Sequence, residues 1–526
     1  MSLAHKKPRI AILGGGPAGL VAAKTLLEES LQPVLFEQSS ALGGQWHAPA
    51  SHSGVWSNMR TNTSKITTCF SDFPHADHVS MFPTNQQMHA YLLQYAERFD
   101  LHKYVRLHSR VDMVQWGEDG NWLVRSTTRS ASSQVERFSH VIVASGRFNK
   151  PHMPPLTGIE TFTGAGGLSH TFDYQGNAPF KGQRVLVIGN SISGLEVASD
   201  MAVDPTITVL SSCRKPRYIV TKILGGMPTD CAVFTRFATL LNQVLPPEAA
   251  AQGLKELILT QCGNPAQYGG LEPVEDLFEA NISQCQYYLA HVAEGKIRPK
   301  RAAVEVAADR VIFADDSQEQ IDAIVCGTGY ALHLPFLSDD ILRVVHADDT
   351  HMDLYRHTFH PDLPQLAFLG LYDQIGPYFP VLELQARWVA MTWSDVQPLP
   401  SRAQMMAGIR EFQAWKKMHK ETLFHEMAMT LSQEAGVTPQ LHKHPELARA
   451  LLFGPLAPSQ FRLDGHGQRE DAGKAFAVAA SAFGCITSPA LSDAQMAGLV
   501  MVARAMPEDT SLAALLSMLQ EATGQR

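Results

Sequence analysis

Two short glycine loops carry the most specific chemistry in this chain, Gly14-x-Gly16-x-x-Gly19 (GGGPAG) and Gly189-x-Ser191-x-x-Gly194 (GNSISG). In such a loop the first glycine allows a tight turn, the second lets backbone approach a pyrophosphate, and the third lets the following helix pack on the preceding strand. The helix start, here at Pro17 and Ala18, offers unpaired N–H groups and the positive end of its dipole to the anion. Glu37, followed by Gln38, stands 18 residues past Gly19, where a carboxylate accepts hydrogen bonds from ribose hydroxyls. The same offset from Gly194 lands on Ser212, inside the run SSCRKPR. There the acid is replaced by a hydroxyl flanked by Arg214, Lys215 and Arg217, chemistry that suits a 2′-phosphate and predicts NADP(H) rather than NAD(H). Asn190 lies within the second loop. Ser191 takes the place of the second glycine, where its side chain would either hold the pyrophosphate farther off or add a hydrogen bond.

Each loop needs a strand before it and a helix after it. The apolar run Arg9 to Leu13 precedes the first, a helical face through Leu20, Ala23, Lys24 and Leu27 follows, and Val34 to Glu37 completes a strand, helix and strand unit. Three further runs, VIVASG at Val141 to Gly146, IVCGTG at Ile324 to Gly329 and LAFLG at Leu366 to Gly370, read as strand ends beside a nucleotide. They put Ser145 and Thr328 on the cofactor-binding side. A Pro/Gly-rich segment between Gly146 and Arg184 suits a crossover between domains. The predicted fold is α/β, with two dinucleotide-binding, Rossmann-like domains: residues 1–175, an inserted domain at 176–325, and a return to the first at 326–395. A helical C-terminal region at 396–526 follows, with helix-compatible spacing at 402–430 and 490–522.

At 526 residues the chain has room for about three domains. A composition 45% hydrophobic and 18% charged is that of a globular protein, and a net charge of −8 provides no basic field for nucleic acid. Seven cysteines without a Cys-x-x-Cys pair read as thiols of a reducing compartment. The start MSLAHKKPRIAIL is better explained as a strand entering the glycine loop than as a signal peptide. No integral membrane segment of 18 apolar residues is present, so a cytoplasmic location is expected. The histidines at 351, 357, 360, 442 and 444 match no metal-ligand spacing, and no metal is expected.

Several blocks, in order, resemble the flavin-containing monooxygenases, class B flavoprotein enzymes, over nearly every segment up to about residue 480. They are GGQW (Gly43 to Trp46), SNMRTN (Ser57 to Asn62), SDFP (Ser71 to Pro74), GNPAQYG (Gly263 to Gly269), DAIVCGTGY (Asp322 to Tyr330), ELQARW (Glu383 to Trp388) and FGPLAPSQFRL (Phe453 to Leu463). GGLSHTFDY is similar to the family fingerprint Phe-x-Gly-x-x-x-His-x-x-x-Tyr through Gly166, His170 and Tyr174. Gly164 stands where phenylalanine is usual, with Phe162 two positions upstream.

The resemblance implies FAD in the first loop and NADP(H) in the second. It makes Gly44, Gln45, Trp46, Val111 and Gln374 cofactor contacts beside the residues above. It also implies that reduced flavin and O2 form a C4a-hydroperoxyflavin that oxygenates a nucleophilic nitrogen or sulfur of a small molecule. The cofactor supplies the oxidising power, so few catalytic side chains are expected. By resemblance Asn62 is the catalytic one, an uncharged amide facing the flavin; by itself RTNTS reads as a turn or cap asparagine. His170 reads as a structural residue of the interdomain linker. Tyr174, in place of the tryptophan usual in Baeyer-Villiger relatives, points to heteroatom oxygenation. Alternatives are Baeyer-Villiger oxygenation of a ketone, an NADPH oxidase, and a non-catalytic redox-sensing flavoprotein; a disulfide reductase lacks its dithiol. A homodimer is left open, as is the role of the C-terminal extension.

Overall fold

Apolar runs too continuous to have one wet face, RIAIL and RVLVI, form central strands of two separate parallel sheets. The computed structural model describes residues 8–417 and 422–523. The first unit begins with β1 (Arg9–Leu13), α1 (Pro17–Glu28), β2 (Gln32–Phe36) and β3 (Val105–Arg106). An antiparallel ribbon of β4 (Ser109–Trp116), β5 (Trp122–Thr128) and β6 (Ser133–Phe138) then leads into β7 (His140–Val143). The second unit holds β8 (Gly167–His170), β9 (Arg184–Ile188), α2 (Ile192–Met201), β10 (Thr208–Ser212), β11 (Ile297–Lys300) and β12 (Ala323–Cys326). The chain then returns with β13 (Leu366–Phe368) and α3 (Phe379–Trp393).

The sheets have the orders β13-β7-β1-β2-β3 and β11-β10-β9-β12-β8, and every pairing in both is parallel. Because β13 joins the first sheet from beyond β12, the second unit is inserted in the first. The boundary expected at 176 falls inside the second unit, since β8 pairs with β12 at Gly167 to His170. The glycines of TFTGAGG read as a linker, but the residues after them add an edge strand. Likewise β12 runs to Cys326, one residue past the expected end.

Beyond α3 the chain is helical, at Arg402–Lys416, Phe424–Glu434, Ala448–Phe453, Ala472–Ser481, Asp493–Ala505 and Thr510–Thr523. The continuous spacing expected over 402–430 is two helices, and residues 418–421 between them lie outside the described residues, as do residues 1–7. Three of the C-terminal helices, Phe424–Glu434, Ala448–Phe453 and Asp493–Ala505, pack on the helix Arg236–Val244 of the inserted unit. No helix among the described residues is long and apolar enough to cross a membrane.

Three of the sequence blocks meet in a buried ionic cluster. Arg462 donates to Glu383 of α3 and to Ser71 Oγ, each at 2.8 Å, and lies 3.8 Å from Asp72, which pairs with Lys24 of α1. Burial alone would raise the pKa of Glu383, but the charges of Arg462, Arg387 and Lys24 hold it below its ordinary value. Asp72 is raised, by burial and by Glu383. The cluster fastens the segment around Arg462 to the helix behind the first glycine loop.

Candidate active site

The two loops have the same backbone. Gly14 and Gly189 both take φ +117°, a conformation that favours glycine, and an added Cβ would lie 3.0 Å from Ala144 C or 2.9 Å from Gly327 C. Gly19 and Gly194 sit behind the loops, where a Cβ would press on Gly14 and Gly189 respectively, so they set the packing of helix on strand. Gly16 and Ser191 are the N-caps of α1 and α2, both with extended backbone at φ −81°. Glycine is therefore not required there for its φ, and Ser191 fits the turn unchanged. Its side chain makes no cap hydrogen bond and is exposed.

Both loops open on one cavity of about 2610 Å³. Small-molecule pockets are commonly about 300–1,000 Å³, so this space accommodates several groups at once. On the first unit's side it is lined by Gly14, Gly16, Pro17, Ala18, Glu37, Gln38, Gly44, Gln45, Trp46, Asn62, Val111, Ser145 and Gln374. On the other side stand Gly189, Asn190, Ser191, Ser212, Arg214 and Thr328. Of the residues expected at the site only Gly19 and Gly194 do not line it, as their packing role requires.

Glu37 is buried, with Oε2 accepting from Gly15 N and Oε1 from both N and Oγ of Ser39, each at 2.7 Å. A carboxylate has about four acceptor positions, so it retains about one, on Oε2, for a ribose hydroxyl. Among the described residues, the buried wall atoms without a hydrogen-bond partner include Asn62 Oδ1, Ser145 Oγ and Gln374 Oε1 of the expected site, beside atoms of Arg147, Thr171, Ser283 and His425. Buried polar atoms are normally paired, so this set of unpaired ones on one cavity, with the glycine cradle, fits a polar cofactor seated there. Gln374 Nε2 is fixed on Pro377 O, Thr328 Oγ1 on His152 O, and Asn190 Nδ2 on Lys215 O. Trp46 both lines the cavity and belongs to the first unit's core.

Ser212 does not stand where Glu37 does. Gly14 N bonds to Phe36 O, and Gly189 N bonds to Ser212 O, so Ser212 is the counterpart of Phe36 and Cys213 that of Glu37. The stretch from the third glycine to the end of the following strand is one residue longer, because α2 is shorter than α1 and its link to β10 is longer by more, which a fixed offset from the glycine cannot detect. Ser212 is fully buried; its Oγ donates to Arg301 O at 2.7 Å and accepts from Ala303 N at 2.9 Å, so it is committed to the fold. The basic rim is formed instead by exposed Arg214 and Lys215, with Arg217 and Arg301 acting on Cys213. Burial pushes the Cys213 thiol up to about 11 against the pull of those two guanidinium groups. Arg301, just past β11, had no motif to mark it.

The fingerprint is structural. Tyr174 is buried and donates to Asp200 Oδ2 at 2.6 Å, and Asn58 of SNMRTN donates to the other oxygen of that carboxylate at 3.2 Å. These bonds hold the linker and the Asn62 segment against α2. His170, 2% exposed, accepts from Phe172 N at its Nδ1 and has its pKa lowered by burial. A Cβ on Gly164 would collide with the ring of Phe162 and lie 2.8 Å from Ile321 O. Phe162 therefore supplies, from two positions upstream, the ring that would otherwise crowd position 164.

Two parallel-sheet folds of the dinucleotide-binding type share one cavity, the arrangement of a flavin-dependent oxidoreductase. A family model described as flavin-binding monooxygenase-like matches residues 6–503. The dimethylaniline monooxygenase [N-oxide-forming] 2 of Rattus norvegicus is 31% identical over 88% of this chain and 90% of its own length. Flavin-containing monooxygenase 5 of Cavia porcellus is 32% identical over 89% and 91%. Among solved structures, S-allyl-L-cysteine S-oxygenase from Allium sativum matches with TM-score 0.56 and 20% identity over 99% of both chains. Cyclohexanone monooxygenase from Rhodococcus sp. Phi1 matches with TM-score 0.62 and 17% identity over 82% of this chain and 98% of that one, a likeness of fold. The chain belongs to the flavin-binding monooxygenase-like family, and it is a flavin-dependent monooxygenase.

Proposed function

We propose that the protein holds FAD on its first glycine loop and NADP(H) on its second, and oxygenates a nucleophilic nitrogen or sulfur of a small molecule with O2. The observation that carries this reading is the single cavity onto which both loops and Asn62 open. When bound, the flavin supplies oxygen activation, and the chain's residues bind, orient and exclude water. The Gly14 to Ala18 backbone and the start of α1 receive one pyrophosphate, and Glu37 the ribose. The Gly189 loop receives the other, with Arg214, Lys215, Arg217 and Arg301 around a 2′-phosphate. Asn62 presents an amide whose buried Oδ1 has no hydrogen-bond partner among the described residues, so it is available to a bound group. The Rattus norvegicus relative named for N-oxide formation supports attack by a nitrogen nucleophile, and the fold-level likeness to a cyclohexanone monooxygenase supplies the second reading, a ketone substrate. Incubation with NADPH and O2 of a tertiary amine such as dimethylaniline, a thioether and a cyclic ketone tests both. An N-oxide or sulfoxide supports the proposal, and conversion of the ketone alone to an ester overturns it.

A further inference from the structure

The segment that carries Asn62 is held from the other unit. Asp230, in the short helix Thr229–Val233 of the inserted unit, is 1% exposed, yet it lies on the cavity wall. Its Oδ1 accepts from Ser64 N at 3.0 Å, and its Oδ2 accepts from Ser64 Oγ and Thr67 Oγ1, each at 2.6 Å. Ser64 is two residues from Asn62, and its carbonyl accepts from Thr68 N, closing the turn that Asp230 caps. Both carboxylate oxygens are thus spent on the loop, which leaves Asp230 no free geometry to act as a base. Charge-assisted hydrogen bonds of this kind are short and strong, and a buried carboxylate that loses its donors is expensive.

The first residue of the same helix, next to Asp230, leads towards the nucleotide loop. Thr229 donates from N to Lys222 O at 2.9 Å and from Oγ1 to Thr221 O at 2.6 Å. Lys222, nearly buried, pairs at 3.2 Å with Glu196 of α2, the helix that the second glycine loop opens. A continuous set of bonds therefore runs from α2 through Lys222 and Asp230 to the turn beside Asn62. It joins the element that would hold one cofactor to the residue that would face the other.

We propose that Asp230 is a positioning residue that sets Asn62 relative to the bound nicotinamide nucleotide, so that its loss separates NADPH oxidation from oxygenation. The inference rests on the monooxygenase reading above. The test uses the full-length holoenzyme and a tertiary amine or thioether oxygenated by the wild type. It compares Asp230→Asn, which removes an acceptor; Thr67→Val, which deletes one donor at nearly constant volume; and Thr67→Ser, which keeps the hydroxyl. Product and hydrogen peroxide formed per NADPH, KM for NADPH and FAD bound per chain are measured.

Asp230→Asn and Thr67→Val are expected to keep FAD while product per NADPH falls about tenfold and peroxide makes up the difference, the scale of loss for a sub-ångström misplacement. Thr67→Ser is expected to restore coupling. Wild-type coupling in both of the first two variants overturns the inference, as does equal damage in Thr67→Ser and Thr67→Val, or a product loss that only tracks lost FAD. If Asp230→Asn does not fold, the threonine pair decides. A wild type that forms no product from amine, thioether or ketone is a different result, the failure of the proposed function itself.

Discussion

Gly194→Ala separates the two loops in one experiment. An added Cβ would overlap Gly189 O and lie 2.9 Å from Gly189 C, in backbone that cannot rotate away. Carbon atoms pack at about 3.5–4.0 Å, so α2 must retreat from the loop by about 0.6–1 Å. Misplacement by about 1 Å at a binding site costs up to about 100-fold, and each tenfold is about 1.4 kcal/mol. The expected result is kcat/KM for NADPH lower by about 10- to 100-fold, or about 1.4–2.7 kcal/mol. FAD bound per chain should not change, because the first loop belongs to another sheet. Steady-state kinetics over a range of NADPH, with flavin absorbance per chain, reads both quantities. Loss of FAD with an unaltered kcat/KM for NADPH would refute the assignment of the loops, and no change in either would refute the packing argument.

Three further outcomes follow from the same structure. Arg214→Ala combined with Arg301→Ala should raise KM for NADPH about tenfold or more while leaving KM for NADH within about twofold, since only NADPH carries the 2′-phosphate; equal effects on both would remove the basic rim from cofactor choice. Arg462→Met leaves Glu383 and Asp72 buried without their shared cation and should cost about 3–5 kcal/mol, read as a lower denaturation midpoint; an unchanged midpoint would show that the cluster does not fasten the C-terminal segment. Burial lowers the pKa of His140 to about 4, His357 to about 3 and His425 to about 4. These groups stay neutral when folded and protonate near 6.5 when unfolded, so their contribution is complete above pH 6.5 and is lost as pH falls from there toward 3–4. Each should forfeit about 2 kcal/mol by pH 5, and His357→Phe should flatten the fall of Tm between pH 7 and 5; an unaltered slope would contradict it.

The glycine loops, the insertion of one unit in the other and the helical end were legible because turn glycines, apolar strands and their order are local signals. Register was not. The extra residue between Gly194 and the end of β10 moved the matched position from Ser212 to Cys213, and no residue type announces it. The edge strand Gly167–His170 was hidden by the glycines before it, whose turn character outweighs a four-residue strand. Asp230 and Arg301 were invisible for another reason: each acts on residues far away in sequence, such as Ser64 and Cys213. The fingerprint shows the reverse case, where a departure at Gly164 looks like a defect until Phe162 is seen filling its space.

In the proposed reaction both glycine loops and Asn62 serve one oxygen transfer. It is tested most directly by supplying NADPH and ¹⁸O-labelled O2 with a tertiary amine or a thioether, and by counting NADPH oxidised, O2 consumed and label in the product. One labelled oxygen atom in an N-oxide or sulfoxide, with NADPH, O2 and product in equal amounts, is the expected result. Consumption of NADPH and O2 with all labelled oxygen recovered as hydrogen peroxide would contradict it.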